Sequence, residues 1–321
     1  CLGEGALNRA EIIEKTESIF EKAGFNLSTR CCSRPSCFDF AARKNNLLTF
    51  IKVHANIGSA SLRDASELLA ITENFDAAPL LIGEKNRDQE LENDTVYSRY
   101  NIYAVNTETL HDIIFKGMYP LIEAGPGGYY VQVNGELIRQ KRQELGLSIG
   151  ELAKMIGVSR RTLYGYERGM AKASVQTAYI LEWILGVPLV QPINVFKSPK
   201  KRKRKDLLSS AKEMISKHCF LYKVFKKFKQ FNFKFTRTIR APFDFIAQIP
   251  KEEIKILGGV STEKENNVEK RIEEIVSVCK LTDSQPILIT TNSKLKENGI
   301  PSFQPKELEK MRDPKDLLSV I

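Results

Sequence analysis

The run Leu147-Ser148-Ile149-Gly150-Glu151-Leu152-Ala153-Lys154-Met155-Ile156-Gly157-Val158-Ser159-Arg160-Arg161-Thr162-Leu163-Tyr164-Gly165-Tyr166-Glu167-Arg168-Gly169 constrains this chain more than any other stretch. Ser148 and Ser159 stand where helices begin, and a serine hydroxyl there accepts an orphan backbone N–H. Leu152, Ala153 and Ile156 have the three-four spacing of one buried helical face. Ala153 is small where a second helix must approach. Gly157 falls where the first helix must stop and turn, a place that favours left-handed backbone. Val158 and Leu163 then plug the angle between the helices. The pattern predicts a helix-turn-helix whose second helix, Ser159–Arg168, is the reader.

The flanking segments extend the pattern. Leu137-Ile138-Arg139-Gln140-Lys141-Arg142 precedes it, and Leu181-Glu182-Trp183-Ile184-Leu185-Gly186-Val187-Pro188-Leu189 closes it. With Leu152-Ala153, Gly157-Val158-Ser159 and Tyr166-Glu167-Arg168-Gly169, this resembles the phage-repressor (Cro/CI, xenobiotic-response-element) class of DNA-binding domain. The resemblance covers about a sixth of the chain and implies a compact, all-helical bundle of four or five helices that binds double-stranded DNA, usually as a homodimer. On that reading Arg160 and Arg161 are the candidates for base edges, because a guanidinium pairs bidentately with guanine. Ser159 caps the reader at the DNA surface, and Thr162 and Tyr164 add phosphate or thymine-methyl contacts. Ser148, Lys154, Lys172 and Ser174 position the domain on the backbone. Tyr166 and Trp183 are expected in the core, and Glu167 is expected to pair with Arg139 or Arg142.

Charge supports a polyanion partner. The net charge is +10, yet 16 Lys and Arg face only Asp206 and Glu213 between Lys197 and Arg240, so the rest of the chain is mildly acidic. Within this segment Lys200, Lys201, Arg202, Lys203, Arg204 and Lys205 read either as a solvated linker or as a phosphate-contacting arm. The following Lys/Phe mixture, Phe220–Phe235, would suit a membrane surface or unpaired bases. Its Phe spacing switches from helical to alternating, however, which favours core packing with a basic outer face. No apolar run approaches the ~18 residues of a membrane span. The chain opens at Cys1-Leu2-Gly3-Glu4 without a secretory pattern, and the lack of Met points to a trimmed or incomplete start. Six scattered Cys form no disulfide framework, consistent with a reducing, cytoplasmic, nucleoid-associated setting. Cys31, Cys32 and Cys37 cluster, but adjacent cysteines make a poor closed metal site, and no His comes before His54. They read as ordinary free thiols.

Around the reader lie two α/β regions. Residues 6–125 predict a helix near Asn8–Ala23, strands near Phe38–Ala42, Leu47–Val53, Leu80–Gly83 and Tyr100–Val105, and helices at Leu62–Phe75 and from Thr107. Gly125-Pro126-Gly127-Gly128 lacks the Lys-Ser/Thr of a phosphate loop and reads as a hinge. The last third repeats this order: Phe38-Asp39-Phe40 recurs as Phe243-Asp244-Phe245, and Leu47–Val53 as Ile254–Gly259. Ala77–Ile82 recurs as Ser284–Ile289, each after a helix, the second being Val268–Lys280. Asn101–Leu110 has its counterpart in Gly299–Leu308. The expected organisation is an α+β or α/β unit at 6–125, a helix-turn-helix at 134–191, a basic linker at 192–205 and a second α/β unit at 206–321.

The repeated unit resembles the restriction-endonuclease-like fold of archaeal junction-resolving nucleases. That resemblance implies an Asp and a downstream Glu-x-Lys holding magnesium and activating water. Asp39 takes the Asp position, but Lys52-Val53-His54 stands at Glu-x-Lys, placing a cation where a cation should bind. Asp244 remains in the second copy, where Ile256-Leu257-Gly258-Gly259-Val260 supplies neither carboxylate nor Lys. No catalytic residue, metal or cofactor is assigned, and the Asp residues are expected to bond backbone amides at strand ends. The layout as a whole is similar to archaeal regulators with a central helix-turn-helix. A sequence-specific transcriptional regulator, acting with the transcription machinery, is therefore expected. A non-specific nucleoid or DNA-processing factor is the alternative, and a residual nuclease comes third.

Overall fold

The computed structural model describes residues 8–197, 219–249, 254–261, 265, 267–291 and 300–311. Residues 200–205, the expected basic arm, lie outside the described residues. Contacts group the chain into two units, one drawing on residues 1–19, 54–59 and 81–195, the other on 20–53, 60–80 and 196–321.

In the first unit, strands run in the order Ile102–Val105, Thr95–Arg99, Ile122–Gly125, Gly128–Val133 and Ala173–Ser174. Gly125 pairs with Gly128, so Pro126 and Gly127 form a tight β-hairpin turn rather than a hinge. Proline fixes the first turn residue, and Gly127 takes the positive φ (+84°) that the second demands. The strand Gly128–Val133 then delivers the chain to the helix Gly135–Glu144, the first of the bundle. It also pairs with two-residue strands at Ala173–Ser174 and Val190–Gln191. The bundle is thus not all-helical: strand hydrogen bonds tie it to the sheet at both ends of its last helix, Val175–Leu185. Sheet and bundle share one core, in which Val131 and Val133 meet Ile138, Leu152, Leu163, Leu181 and Leu189.

The second unit holds the second repeat and much of the first. Asn26–Leu27, Phe40–Lys44, Leu47–Val53 and Ala78–Ile82 follow one another across the first sheet, with the helix Leu62–Phe75 as crossover. The other sheet runs Lys234–Arg237, Phe245–Gln248, Lys255–Ser261, Gln285–Thr290, Ser302–Phe303, with the crossover helix Val268–Thr282. Corresponding details coincide. Asp76 and Asp283 both end their crossover helices in left-handed backbone, with cap N–H groups returning to Thr72 and Cys279 carbonyls. Phe20 meets Phe25 and Phe40 as Phe228 meets Phe233 and Phe245.

The repeats also bind each other reciprocally. Glu67, on the first crossover helix, accepts from the Ile239 and Arg240 backbone N–H groups, both at 2.6 Å. Its counterpart Glu274 accepts from Cys32 N (2.9 Å), Ser33 N (2.8 Å) and Ser33 Oγ (2.5 Å). Phe38 and its counterpart Phe243 meet each other, ring centroids 6.3 Å apart. A residue that touches its own equivalent marks a local two-fold axis, the signature of a self-complementary interface. Here that interface closes inside one chain.

Candidate nucleic-acid interface

Three short helices build the candidate interface: Gly135–Glu144, Ile149–Met155 and Arg160–Glu167. Asn134 caps the first through its acceptance from Leu137 N. Ser148 caps the second in a full capping box with Glu151, and Ser159 caps the third by accepting from Thr162 N. Each cap satisfies a backbone donor that would otherwise lack a partner. After Met155 the chain turns through Gly157 at φ +71°, and Val158 N reaches back to Ala153 O at 2.9 Å. This six-to-one closure stops the helix and aims the next one.

Two interactions fix the reader against the rest of the bundle. Gly135 lies so close to its C-terminal end that a Cβ would come within 2.2 Å of Tyr166 O. Arg142 donates to Glu167 through Nε (2.6 Å) and Nη2 (3.3 Å), and through Nη1 to Leu147 O (2.8 Å). The pair is buried, with side chains 8% and 5% exposed, so one guanidinium links the first helix, the turn and the end of the reader. Of the two expected partners of Glu167, it is Arg142. Tyr166 is core, as expected, but Trp183 is 79% exposed. The helix Val175–Leu185 buries Ala178, Leu181 and Leu185. A residue two places from Leu181 lies about 200° around the helix and faces outward.

The predicted contact residues divide accordingly. Arg160 and Arg161 are exposed at the first turn of the reader, and Lys154 is exposed on the preceding helix. Arg160 leans back over Gly150, its Nε 2.8 Å from where a Cβ would stand. Tyr164 is 44% exposed and carries the Arg168 guanidinium over its ring at 5.4 Å. Arg168 escaped the sequence reading, although its i,i+4 spacing from Tyr164 was visible. Thr162 is half-buried, its Oγ1 2.8 Å from Ser159 Oγ. Ser174 caps the helix Val175–Leu185 and lies 2.8 Å from Thr177 Oγ1. Lys172 is ion-paired with the buried Glu123.

The aspartates of the nuclease-like positions are bound differently from a metal pair. Asp39 accepts from Val53 N at 2.7 Å and from Lys52 Nζ at 3.1 Å. Asp244 accepts from Val260 N at 2.6 Å, from Arg34 Nη1 at 2.9 Å and also from Arg271. The amide bonds match the expectation, and the counter-cations differ between copies. Arg34 and Arg271 were not legible, since both come from segments remote from the motif. Among the described residues no cluster of three or more His, Cys, Asp or Glu has metal-holding geometry. Cys31 and Cys37 are buried and Cys32 is exposed. Burial pushes the Cys31 and Cys37 thiols up, with Glu274 adding to it at Cys31 and Glu67 at Cys37.

The class that emerges is a helix-turn-helix protein on a nuclease-like α/β scaffold. Residues 9–120 match the PD-(D/E)XK superfamily domain, and residues 138–191 match the helix-turn-helix family. A protein of Methanosarcina barkeri named "Putative HTH-type transcriptional regulatory protein" is 36% identical over 98% of this chain and 97% of its own length. One of the same description from Pyrococcus furiosus is 32% identical over 98% of both chains. The chain belongs to this archaeal family of HTH-type proteins. Among solved structures, the restriction-modification controller protein C.AhdI from Aeromonas hydrophila is 32% identical, covering 16% of this chain and 80% of its own, with a TM-score of 0.16. The SinR/SinI complex is 22% identical, covering 30% and 92%, also at 0.16.

Proposed function

We propose that the chain is a sequence-specific transcriptional regulator that reads the major groove of double-stranded DNA with the helix Arg160–Glu167. The observation that carries this reading is the exposed Arg160-Arg161 pair at the first turn of a helix locked at both ends. Ser159 caps its start, and the buried Arg142–Glu167 pair holds its finish. A reader must hold its arginines still, because bidentate pairing with guanine tolerates little displacement. Lys154, Ser148 and Ser174 position the domain on phosphates, and the 200–205 arm adds further contacts. Lys172 is left to its pairing with Glu123. The names of the archaeal relatives support the regulatory part of the reading.

Arg161→Ala is expected to weaken binding to the preferred duplex by about 1–3 kcal/mol while changing binding to unrelated duplexes far less. Competition binding with both DNAs measures this. An equal loss on both would make Arg161 a phosphate clamp.

A homodimer follows from the same reading. Tyr179 and Trp183, 71% and 79% exposed, stand one turn apart on an outer helix face that carries no cation. An apolar face of this kind suits a second copy better than phosphate. Trp183 is the only tryptophan. Its emission is expected to shift to the blue as the protein associates, and Trp183→Lys is expected to keep the chain monomeric in sedimentation. An unchanged oligomeric state in that variant would contradict the assignment.

The nuclease-like domain serves as scaffold in this proposal. Lys52 and Arg271 occupy, as fixed cations, the carboxylates that would otherwise attract a metal ion. DNA incubated with Mg²⁺ or Mn²⁺ should be cut no faster by the wild type than by Asp39→Ala. Metal-dependent cleavage lost in the variant would restore the enzyme reading.

A further inference from the structure

The internal duplication supplies a comparison that a single domain lacks. In each copy a leading helix closes onto its sheet through one phenylalanine pair. Phe25 N donates to Phe20 O at 3.0 Å, and Phe233 N donates to Phe228 O at 3.0 Å. The preceding turns match as well, Gly24 N to Glu21 O and Asn232 N to Lys229 O. These equivalences place Lys229 where the first copy has Glu21, Lys226 where it has Ser18, and Phe225 where it has Glu17. The helix Arg9–Lys22 carries Glu11, Glu14, Glu17 and Glu21 against three cations, whereas Cys219–Gln230 carries Lys223, Lys226, Lys227 and Lys229 and no acid. Fold and aromatic closure are shared; the charge is opposite. Lys223 matches Lys15, but Lys226, Lys227 and Lys229 stand where the first copy has Ser18, Ile19 and Glu21. These three lysines are therefore not a requirement of the fold, and the mutual repulsion of the cluster works against the helix that bears it.

Lys223, Lys226 and Lys229 line one exposed face, and the exposed Lys234 follows on the adjoining strand. We propose that this face binds the phosphate backbone of duplex DNA, as a second and sequence-independent contact on the same chain. The proposal rests on the reading of the chain as a DNA-binding regulator. The surroundings favour duplex backbone over other polyanions. A helix lying on a bilayer needs its apolar face free, but Leu221, Val224 and Phe228 are buried against the sheet. Stacking of unpaired bases needs open aromatic rings. Phe225, Phe231 and Phe235 are instead engaged with Phe235, Phe233 and Phe245.

The test uses the full chain with the paired variants Lys226→Glu/Lys229→Glu and Lys226→Gln/Lys229→Gln. Binding to a random-sequence duplex is measured over a salt series. Each phosphate contact contributes about −0.9 to the slope of log K against log salt. Both variants should bind that duplex more weakly and with a slope shallower by about 1–2. Preference among duplexes should stay at the wild-type ratio, which separates this face from Arg160 and Arg161. Wild-type affinity and slope in the Gln variant, with its thermal unfolding unchanged, would overturn the proposal. So would charge-dependent binding to phosphatidylserine vesicles in place of duplex DNA. If no duplex is preferred at all but the slope still falls, the reader assignment fails and this face stands.

Discussion

Arg142 and Glu167 show how a charged pair can be structural inside a binding domain. Removing water from both charges is costly, and the bidentate geometry with the extra Leu147 carbonyl offsets that cost. Truncating one partner leaves the other charge buried and alone. Glu167→Ala is expected to cost about 3–5 kcal/mol in denaturant unfolding. A loss below about 1 kcal/mol, the range of exposed pairs, would show that the pair is solvated. Half of this pair was legible, because Glu167 stands at the end of the reader, where a structural partner is expected. Asp39 and Asp244 were legible in the same partial way. Their amide bonds follow from a position at a strand end, whereas Arg34 and Arg271 reach Asp244 only once the chain has folded.

At the scale of elements, the helix-turn-helix could be read almost completely because its determinants are local. Caps, the glycine turn and the spacing of Leu152, Ala153 and Ile156 all act within a few residues. Ser159→Ala should therefore destabilise the reader by about 1 kcal/mol through the lost partner of Thr162 N and Oγ1, measured as a lower melting temperature. No change in melting would mean that water replaces the cap without loss. The hairpin Ile122–Val133 was not legible, since Gly-Pro-Gly-Gly is equally compatible with a hinge until two strands are known to flank it. Trp183 failed for another reason. Hydrophobicity names a candidate for burial, but helical phase decides which side it takes, and Leu181 and Leu185 had already claimed the inner one.

Across the whole molecule, the repeat was visible as order and spacing, but the reciprocal Glu67 and Glu274 clamps were not, because they join segments far apart in sequence. Burial raises the Glu67 carboxyl above its usual range, while the Arg240 and Ile239 amides oppose the shift. The folded state therefore holds this proton more tightly than the unfolded chain. Stability from this group is present below the ordinary carboxylate pKa and falls as pH rises through the raised value. Glu67→Gln keeps an acceptor for both amides without the charge, and should gain on the wild type as pH rises from about 4. Glu67→Ala abandons both amides and should cost about 1–3 kcal/mol. Urea unfolding at pH 4 and pH 7 measures both, and a wild-type chain that gains on Glu67→Gln with rising pH would contradict the assignment.

Sequence reading by the helix Arg160–Glu167 can be tested without knowing the operator. The most direct measurement is selection of bound duplexes from a random pool at near-physiological salt, followed by sequencing. A recovered motif with two related half-sites about one helical turn apart is expected, as a two-fold dimer of readers requires. A folded, DNA-binding sample that enriches no motif would contradict it and leave Arg160 and Arg161 as phosphate contacts.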